Sequence, residues 1–271
     1  MKIFKTKTNL LKEISGLKDI AFVPTMGSIH KGHLSLITKA KRLSKNILVS
    51  IYVNPKQFNS STDFNKYPRM ISKDILLLKK IKVKYLYLPK YNDIYSFKTK
   101  YRIFLDKFSR NLCGKFRPGH FKGVINIVNR FIEVIKPHSI FLGVKDFQQL
   151  TLIKLHIKKN KIPTKVVSCP TVRDKDGVAL SSRNTKLNKK QINIVKKVYI
   201  YLRKNKKNIL LEHLKKNKLK TLNEIKLLGV RKIDYLKCLN QKTLKIPKKM
   251  KENFNIFISY YVGDVRLIDN L

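Results

Sequence analysis

Along the first two-thirds of the chain, apolar runs of strand length alternate with longer stretches of helical spacing. Residues 19–25, 46–54, 82–89, 138–143 and 164–170 are nearly continuous in apolar and β-branched residues, as strands buried on both faces are. Two of these runs, 82–89 and 164–170, stop at a proline. Between them, residues 33–45, 71–81, 122–136 and 146–159 have helix length and helix-compatible apolar spacing. Strands alternating with helices imply βαβ units, and hence an α/β fold with a mostly parallel sheet covered on both faces.

Residues 90–119 break the rhythm. They hold one strand candidate, 99–106, and a polar turn, CGKFRPGH, and read as an excursion over the sheet edge. After about residue 185 the pattern changes again. Residues 187–210 predict one amphipathic helix, and 231–240 and 253–262 predict strands. The expectation is a first domain over 1–172 and a smaller α+β domain over 173–271, acting as a lid. Within the latter, the Lys-rich run at 203–218 reads as a solvated helical face.

Charge complicates this picture. The chain carries 61 Lys and Arg against 16 Asp and Glu, a formal net charge of +45. Such a balance suggests a nucleic-acid or anionic-membrane partner. The lysines, however, are spread along the chain, and Lys, Ile and Asn abundance with no Trp is what an AT-rich genome encodes. Compositional drift is therefore preferred to nucleic-acid binding. The positive field should still concentrate anionic substrates such as nucleotides. Cys113, Cys169 and Cys238 are too few and too scattered for a disulfide framework or a zinc site. The N-terminal residues do not read as a signal peptide, and no run reaches the roughly 18 apolar residues a membrane helix needs. The expectation is a soluble, cytoplasmic protein.

The chemistry begins at VPTMGSIHKGHLSLI, residues 23–37, where a strand gives way to a helix. In an open parallel sheet, ligands sit at the carboxyl ends of strands, where helix N-termini attract phosphate. Gly27 and Gly32 allow a tight turn and a close ligand approach. His30 and His33 would present donors there and, if protonated, would offset charge on a departing diphosphate. A metal pair and two structural caps are the other readings of the same residues. Downstream, DGVALSSRN places Ser181, Ser182 and Arg183 after a turn, a set suited to a triphosphate. VNPKQF ends a strand with Asn54 and Gln57, FRPGHF sets Arg117 and His120 before a helix, and FLGVKDFQQL places Lys145, Asp146 and Gln149 at a strand–helix junction. Asp146 also suits a helix N-cap. His138, His156 and His213 read as structural or surface residues, and Cys169 as core.

The HxGH stretch resembles the signature of the nucleotidyltransferase superfamily. With the other blocks, in order, and RLIDN at 266–270, the chain resembles the pantothenate synthetase (pantoate–β-alanine ligase) family. The likeness is densest over 20–185 and thin over 190–255. It implies a Rossmann-like nucleotidyltransferase domain that joins pantoate and β-alanine, consuming ATP and releasing AMP and diphosphate through a pantoyl adenylate. By the resemblance, Met26, Gly27, Ser28, Ile29, His30, Lys31, Gly32 and His33 would bind ATP, with His33 matching the general acid. Gly143, Val144, Lys145, Asp146, Val172, Leu180, Ser181, Ser182 and Arg183 would complete the ATP site. His30, Lys145 and Arg183 would join His33 in catalysis. Gln57 would meet both pantoate and β-alanine, Gln149 would hold pantoate, and Asn54 would line the substrate site. Mg²⁺ would accompany ATP, with Asp74 as the remaining candidate for the metal. A homodimer is implied as well. Two departures stand out: Val144 replaces the family's usual Glu, and Lys73 stands where a second acidic residue is expected beside Asp74. The rivals are another adenylyl- or cytidylyltransferase, and a basic nucleic-acid-binding protein on an old enzyme fold.

Overall fold

The computed structural model describes residues 1–271, in two compact units, Met1–Thr171 and Val172–Leu271. The expected boundary was 172/173.

The first unit runs β1 (Lys2–Phe4), α1 (Lys7–Ile14), β2 (Ile20–Thr25), α2 (Lys31–Leu43), β3 (Asn46–Ile51), α3 (Ser61–Asn65), α4 (Ile71–Lys80), β4 (Tyr85–Tyr87), α5 (Tyr91–Tyr95), α6 (Leu112–Phe116), α7 (His120–Ile135), β5 (Ser139–Gly143), α8 (Phe147–Lys159) and β6 (Lys165–Cys169). Its six strands form one sheet in the order β1-β4-β3-β2-β5-β6, every pairing parallel. The continuous apolar runs follow from burial on both faces. Ala21 and Val23 pack with Leu36, Ile37 and Ala40 of α2 and Leu78 of α4. Phe22, between them in sequence, points the other way and meets Phe131 of α7 edge-on at 5.4 Å. Tyr52 and Tyr87 meet the same ring at 6.3 and 6.2 Å. Helix α7 ends at Lys136 in the left-handed region, and Pro137 follows.

The excursion holds a correction. Residues 99–106 form no strand. Their backbone is satisfied by side chains instead of a neighbouring strand. Glu133 accepts from the N–H groups of Lys100 and Tyr101, Asn129 donates to the Tyr101 carbonyl, and His156 Nδ1 accepts from Phe104 N–H. A local apolar pattern cannot distinguish these partners from a sheet edge. His156 is fully buried within this network, and Cys169 lies in the core, both as expected.

The second unit has α9 (Lys189–Lys204), α10 (Lys206–Leu214), α11 (Leu219–Leu227), β7 (Lys232–Leu239), β8 (Asn255–Val262) and β9 (Val265–Asn270). Its antiparallel sheet runs β7-β8-β9. The single helix expected over 187–210 breaks at Asn205, whose N–H closes α9 on Tyr201 and whose carbonyl receives the first bond of α10. The run 203–218 is not simply a solvated face: Ile209, Leu210 and His213 are buried in it.

Candidate active site

Strand order reverses where β2 lies beside β5, and at such a switch point a crevice opens beyond the carboxyl ends. The turn after β2 and the first residues of α2 carry Met26–His33, and the turn after β5 carries Val144–Asp146. The two stretches are 110 residues apart in sequence and meet here because of the strand order.

The β2 turn is bonded at nearly every step. Thr25 Oγ1 donates to the Ser50 carbonyl and accepts from Gly27 N–H at 3.1 Å. Gly27 and Ser28 both have positive φ, at 81° and 52°. Ser28 and Ile29 donate their N–H groups to the carboxylate of Asp74 at 2.8 and 2.7 Å. The chain then reaches His30, the N-cap of α2, whose Nδ1 accepts from Gly32 N–H at 3.1 Å. The capping reading of His30 is thus realised, and it fixes the ring chemistry. A nitrogen that accepts carries no proton, so neutral His30 bears its proton on Nε2.

His33 lies one turn further on, its ring 4.1 Å from that of His30 and tilted by 34°. Its Nδ1 is buried without a partner. Burial, then the Lys145 charge, lowers His30 to about 4, partly opposed by Asp146. Burial, His30 and Lys145 lower His33 to about 3. Both imidazoles are therefore neutral near pH 7, so the condition under which they would offset charge as cations is not met in the free protein. They act as hydrogen-bonding groups, and the positive charge beside them is that of Lys145. Asp146 occupies the N-cap position of α8 but makes no side-chain cap bond; it faces Lys145, with Oδ1 3.5 Å from Nζ.

Gln57 ends the turn after β3 and is nearly buried. It donates to the sulfur of Met26 at 2.8 Å, bringing the β2 and β3 turns together. Its carbonyl accepts from His120 Nδ1 at 2.7 Å and from Arg117 at 3.3 Å. Arg117 and His120 thus pin the Gln57 backbone. Asn54 is fully buried and engaged throughout: it donates to the Gly123 carbonyl and Gln57 Oε1, and accepts from Tyr95 O–H and Lys56 N–H. Expected among the substrate ligands, Asn54 is occupied in shaping the turn. Gly123 allows α7 to approach, since a Cβ there would lie 2.1 Å from the Lys56 carbonyl oxygen. Gln149 is half-buried at the start of α8. Its neighbour Gln148 donates to the Phe108 and Asn111 carbonyls, closing the end of the excursion.

The remaining expected residues belong to the second unit. Val172 and Leu180 face each other across a short hairpin, Leu180 N–H donating to the Val172 carbonyl at 3.0 Å. Asp174 caps its turn by accepting from Asp176 and Val178, and Gly177 has φ 87°. Arg173 grips Asp269 bidentately at 2.7 and 2.9 Å. Ser181 caps the helical turn Ser182–Lys186, accepting from Arg183 N–H.

Asp74 was the candidate for a metal. Both of its oxygens are engaged by backbone N–H groups, and no cluster of three or more His, Cys, Asp or Glu could hold a metal ion. These residues do not fit a metal centre held by protein side chains. Sequence reasoning missed the two Asp74 bonds, Tyr95 and Gly123. Among them only Gly123, a glycine inside a helical pattern, left a mark in the sequence.

Six parallel strands with paired histidines and a lysine at the switch point form a nucleotidyltransferase-type α/β domain, the fold of the solved structures it resembles. The comparisons make the class specific. The family described as Pantoate-beta-alanine ligase matches residues 2–271. Relatives named pantothenate synthetase are 38% identical in Sulfurihydrogenibium sp. (94% of this chain, 92% of the relative) and in Buchnera aphidicola (100% and 98%). A pantoate-beta-alanine ligase of Francisella tularensis, complexed with beta-gamma ATP and beta-alanine, superposes with a TM-score of 0.84 at 37% identity, covering 100% of this chain and 97% of that one. The pantothenate synthetase of Thermus thermophilus gives 0.86 at 30% identity, covering 100% and 99%. The chain belongs to the pantoate–β-alanine ligase family. It is a ligase that condenses pantoate with β-alanine using ATP. No helix is long and apolar enough to cross a membrane.

Proposed function

We propose that the condensation runs through a pantoyl adenylate built at the β2/β5 switch point. The observation that carries this is the pair of neutral imidazoles 4.1 Å apart, one with a buried nitrogen left unpartnered, beside the Lys145 charge. A pantoate carboxylate oxygen attacks the α-phosphorus of ATP, the bond to the bridging oxygen breaks, and diphosphate leaves. The β-alanine amine then attacks the acyl carbon, AMP departs, and the amine loses a proton to solvent.

Each group has a task in these steps. Met26–His33 and Gly143–Asp146 receive ATP, His30 and His33 hydrogen-bond its phosphates, and Lys145 supplies positive charge as the leaving group builds negative charge. Gln57 and Gln149 are neutral amides that hold pantoate without adding charge, and Gln57 also meets β-alanine. Val172 and Leu180–Arg183 supply further ATP contacts, with Arg183 suited to a phosphate fork. Mg²⁺ bound to the ATP phosphates would neutralise part of their charge, with no ligand needed from this chain's side chains. The working enzyme is a cytoplasmic homodimer, in keeping with the family resemblance.

AMP release from Mg-ATP, with pantoate and β-alanine added separately and together, tests the reading. Release only with both is the expected result. Release independent of pantoate, or with another acid in its place, would contradict it.

A further inference from the structure

One buried carboxylate has both oxygens committed to the turn that carries the histidines. Asp74, in the first turn of α4, is 1% exposed. Its Oδ2 accepts from Ser28 N–H at 2.8 Å and its Oδ1 from Ile29 N–H at 2.7 Å. Oδ2 also closes the space above Gly27, where a Cβ would come within 3.0 Å of it. Ser28 holds a φ of 52°, uncommon for a non-glycine and maintained only where the surroundings over-determine it. With Thr25 on Gly27 N–H and His30 on Gly32 N–H, four backbone donors of one turn end on side chains. Burial pushes the Asp74 carboxyl up, while the two N–H groups and the Lys73 charge push it down.

We propose that Asp74 is a positioning residue. It clamps the Ser28 and Ile29 amides so that His30 caps α2 and His33 stacks on it in the productive geometry; it does not act by ligating metal. The inference rests on the reading of His30 and His33 as phosphate-facing groups. An amide of the same shape cannot replace it. Asparagine has one acceptor oxygen, and its NH₂ would face the second N–H, leaving a buried donor unsatisfied.

The test compares the parent with Asp74→Asn, Asp74→Glu and Lys73→Ala by two readouts. The first is amide hydrogen exchange in the full ligand-free chain. The Ser28 and Ile29 amides should be protected in the parent and in Lys73→Ala, and should exchange at least about tenfold faster in Asp74→Asn, through local opening. The second is pantoate-dependent diphosphate exchange. In Asp74→Asn kcat should fall roughly 100-fold, as a small misplacement of catalytic groups can cost, with KM for ATP little changed. Raising Mg²⁺ should restore nothing. Asp74→Glu keeps the charge and should lie between parent and Asp74→Asn; it carries the test if Asp74→Asn does not fold. Parent-like exchange of both amides would overturn the clamp. So would activity that returns as Mg²⁺ is raised, which would mark a metal ligand. Should the parent lack pantoate-dependent exchange, the functional reading fails, and amide exchange still decides the clamp.

Discussion

The two units use their buried polar groups differently. In the first, Asp74, Asn54, His120, Gln148 and His156 are buried and spend hydrogen bonds on the backbone of turns and irregular segments. In the second, the part-buried ion pairs join strands to one another or to a hairpin: Arg173 with Asp269, and Arg266 with Asp234, each at 2.7 Å. The first unit therefore invests polar burial in the shape of a site, and the second in holding a small sheet together. Breaking a polar group in the first unit should cost activity before stability; in the second the order should reverse.

The largest expected effect is at His33. His33→Ala should lower pantoate-dependent turnover by roughly 10²- to 10³-fold, the cost of losing a preorganised donor to developing charge, with an unchanged far-UV spectrum. Turnover within tenfold of the parent would remove His33 from the chemistry. Next comes Arg173→Ala, which leaves the Asp269 carboxylate without its bidentate partner. Because that pair is partly exposed, the loss should be about 2 kcal/mol by denaturant unfolding, below the value for a fully buried pair. Gly123→Ala drives a Cβ against the Lys56 carbonyl, and overpacking of this kind costs about 1–3 kcal/mol. Its sharper sign should be a raised KM for pantoate, because Gln57 moves with that turn. If stability falls and KM does not, the link from α7 to Gln57 is wrong.

Acid should act on both units. Burial lowers His156 and His213 to about 4, and His30 and His33 lie at about 4 and 3. The unfolded chain binds protons at these histidines below about pH 6.5, while the folded chain does not. Their contribution is thus complete above pH 6.5 and is lost as pH falls from there through 4 and, for His33, through 3. Melting temperatures recorded across that window should decline steadily. The pH profile of activity should show no acid limb near 6.5 from His30 or His33. The smallest effect should come from Leu76→Lys, an exposed apolar position on α4, which should change stability by no more than about 0.5 kcal/mol.

Much of this was legible in the sequence, and the parts that were not have physical reasons. The buried strands β2, β3 and β5 stood out because parallel strands covered on both faces must be apolar throughout. His30, His33, Lys145 and Gln57 stood out as chemistry-bearing residues at strand ends. By contrast β1 is a three-residue edge strand with little burial, and it has no period to find. The 99–106 segment looks like a strand because its residues suit one, yet its partners are Glu133, Asn129 and His156, set by tertiary structure. The neutral state of the two histidines was equally hidden, since it depends on burial and on Lys145, more than a hundred residues away. Asp74 could be seen as an acidic residue but not as a clamp, because its two partners lie 46 and 45 residues back in the chain.

The most direct test of the account is diphosphate exchange into ATP with pantoate present and β-alanine absent, in the parent and in His33→Ala. The account predicts exchange that requires pantoate and collapses in the variant. Exchange without pantoate, or undiminished in the variant, would contradict an adenylate formed at the paired histidines.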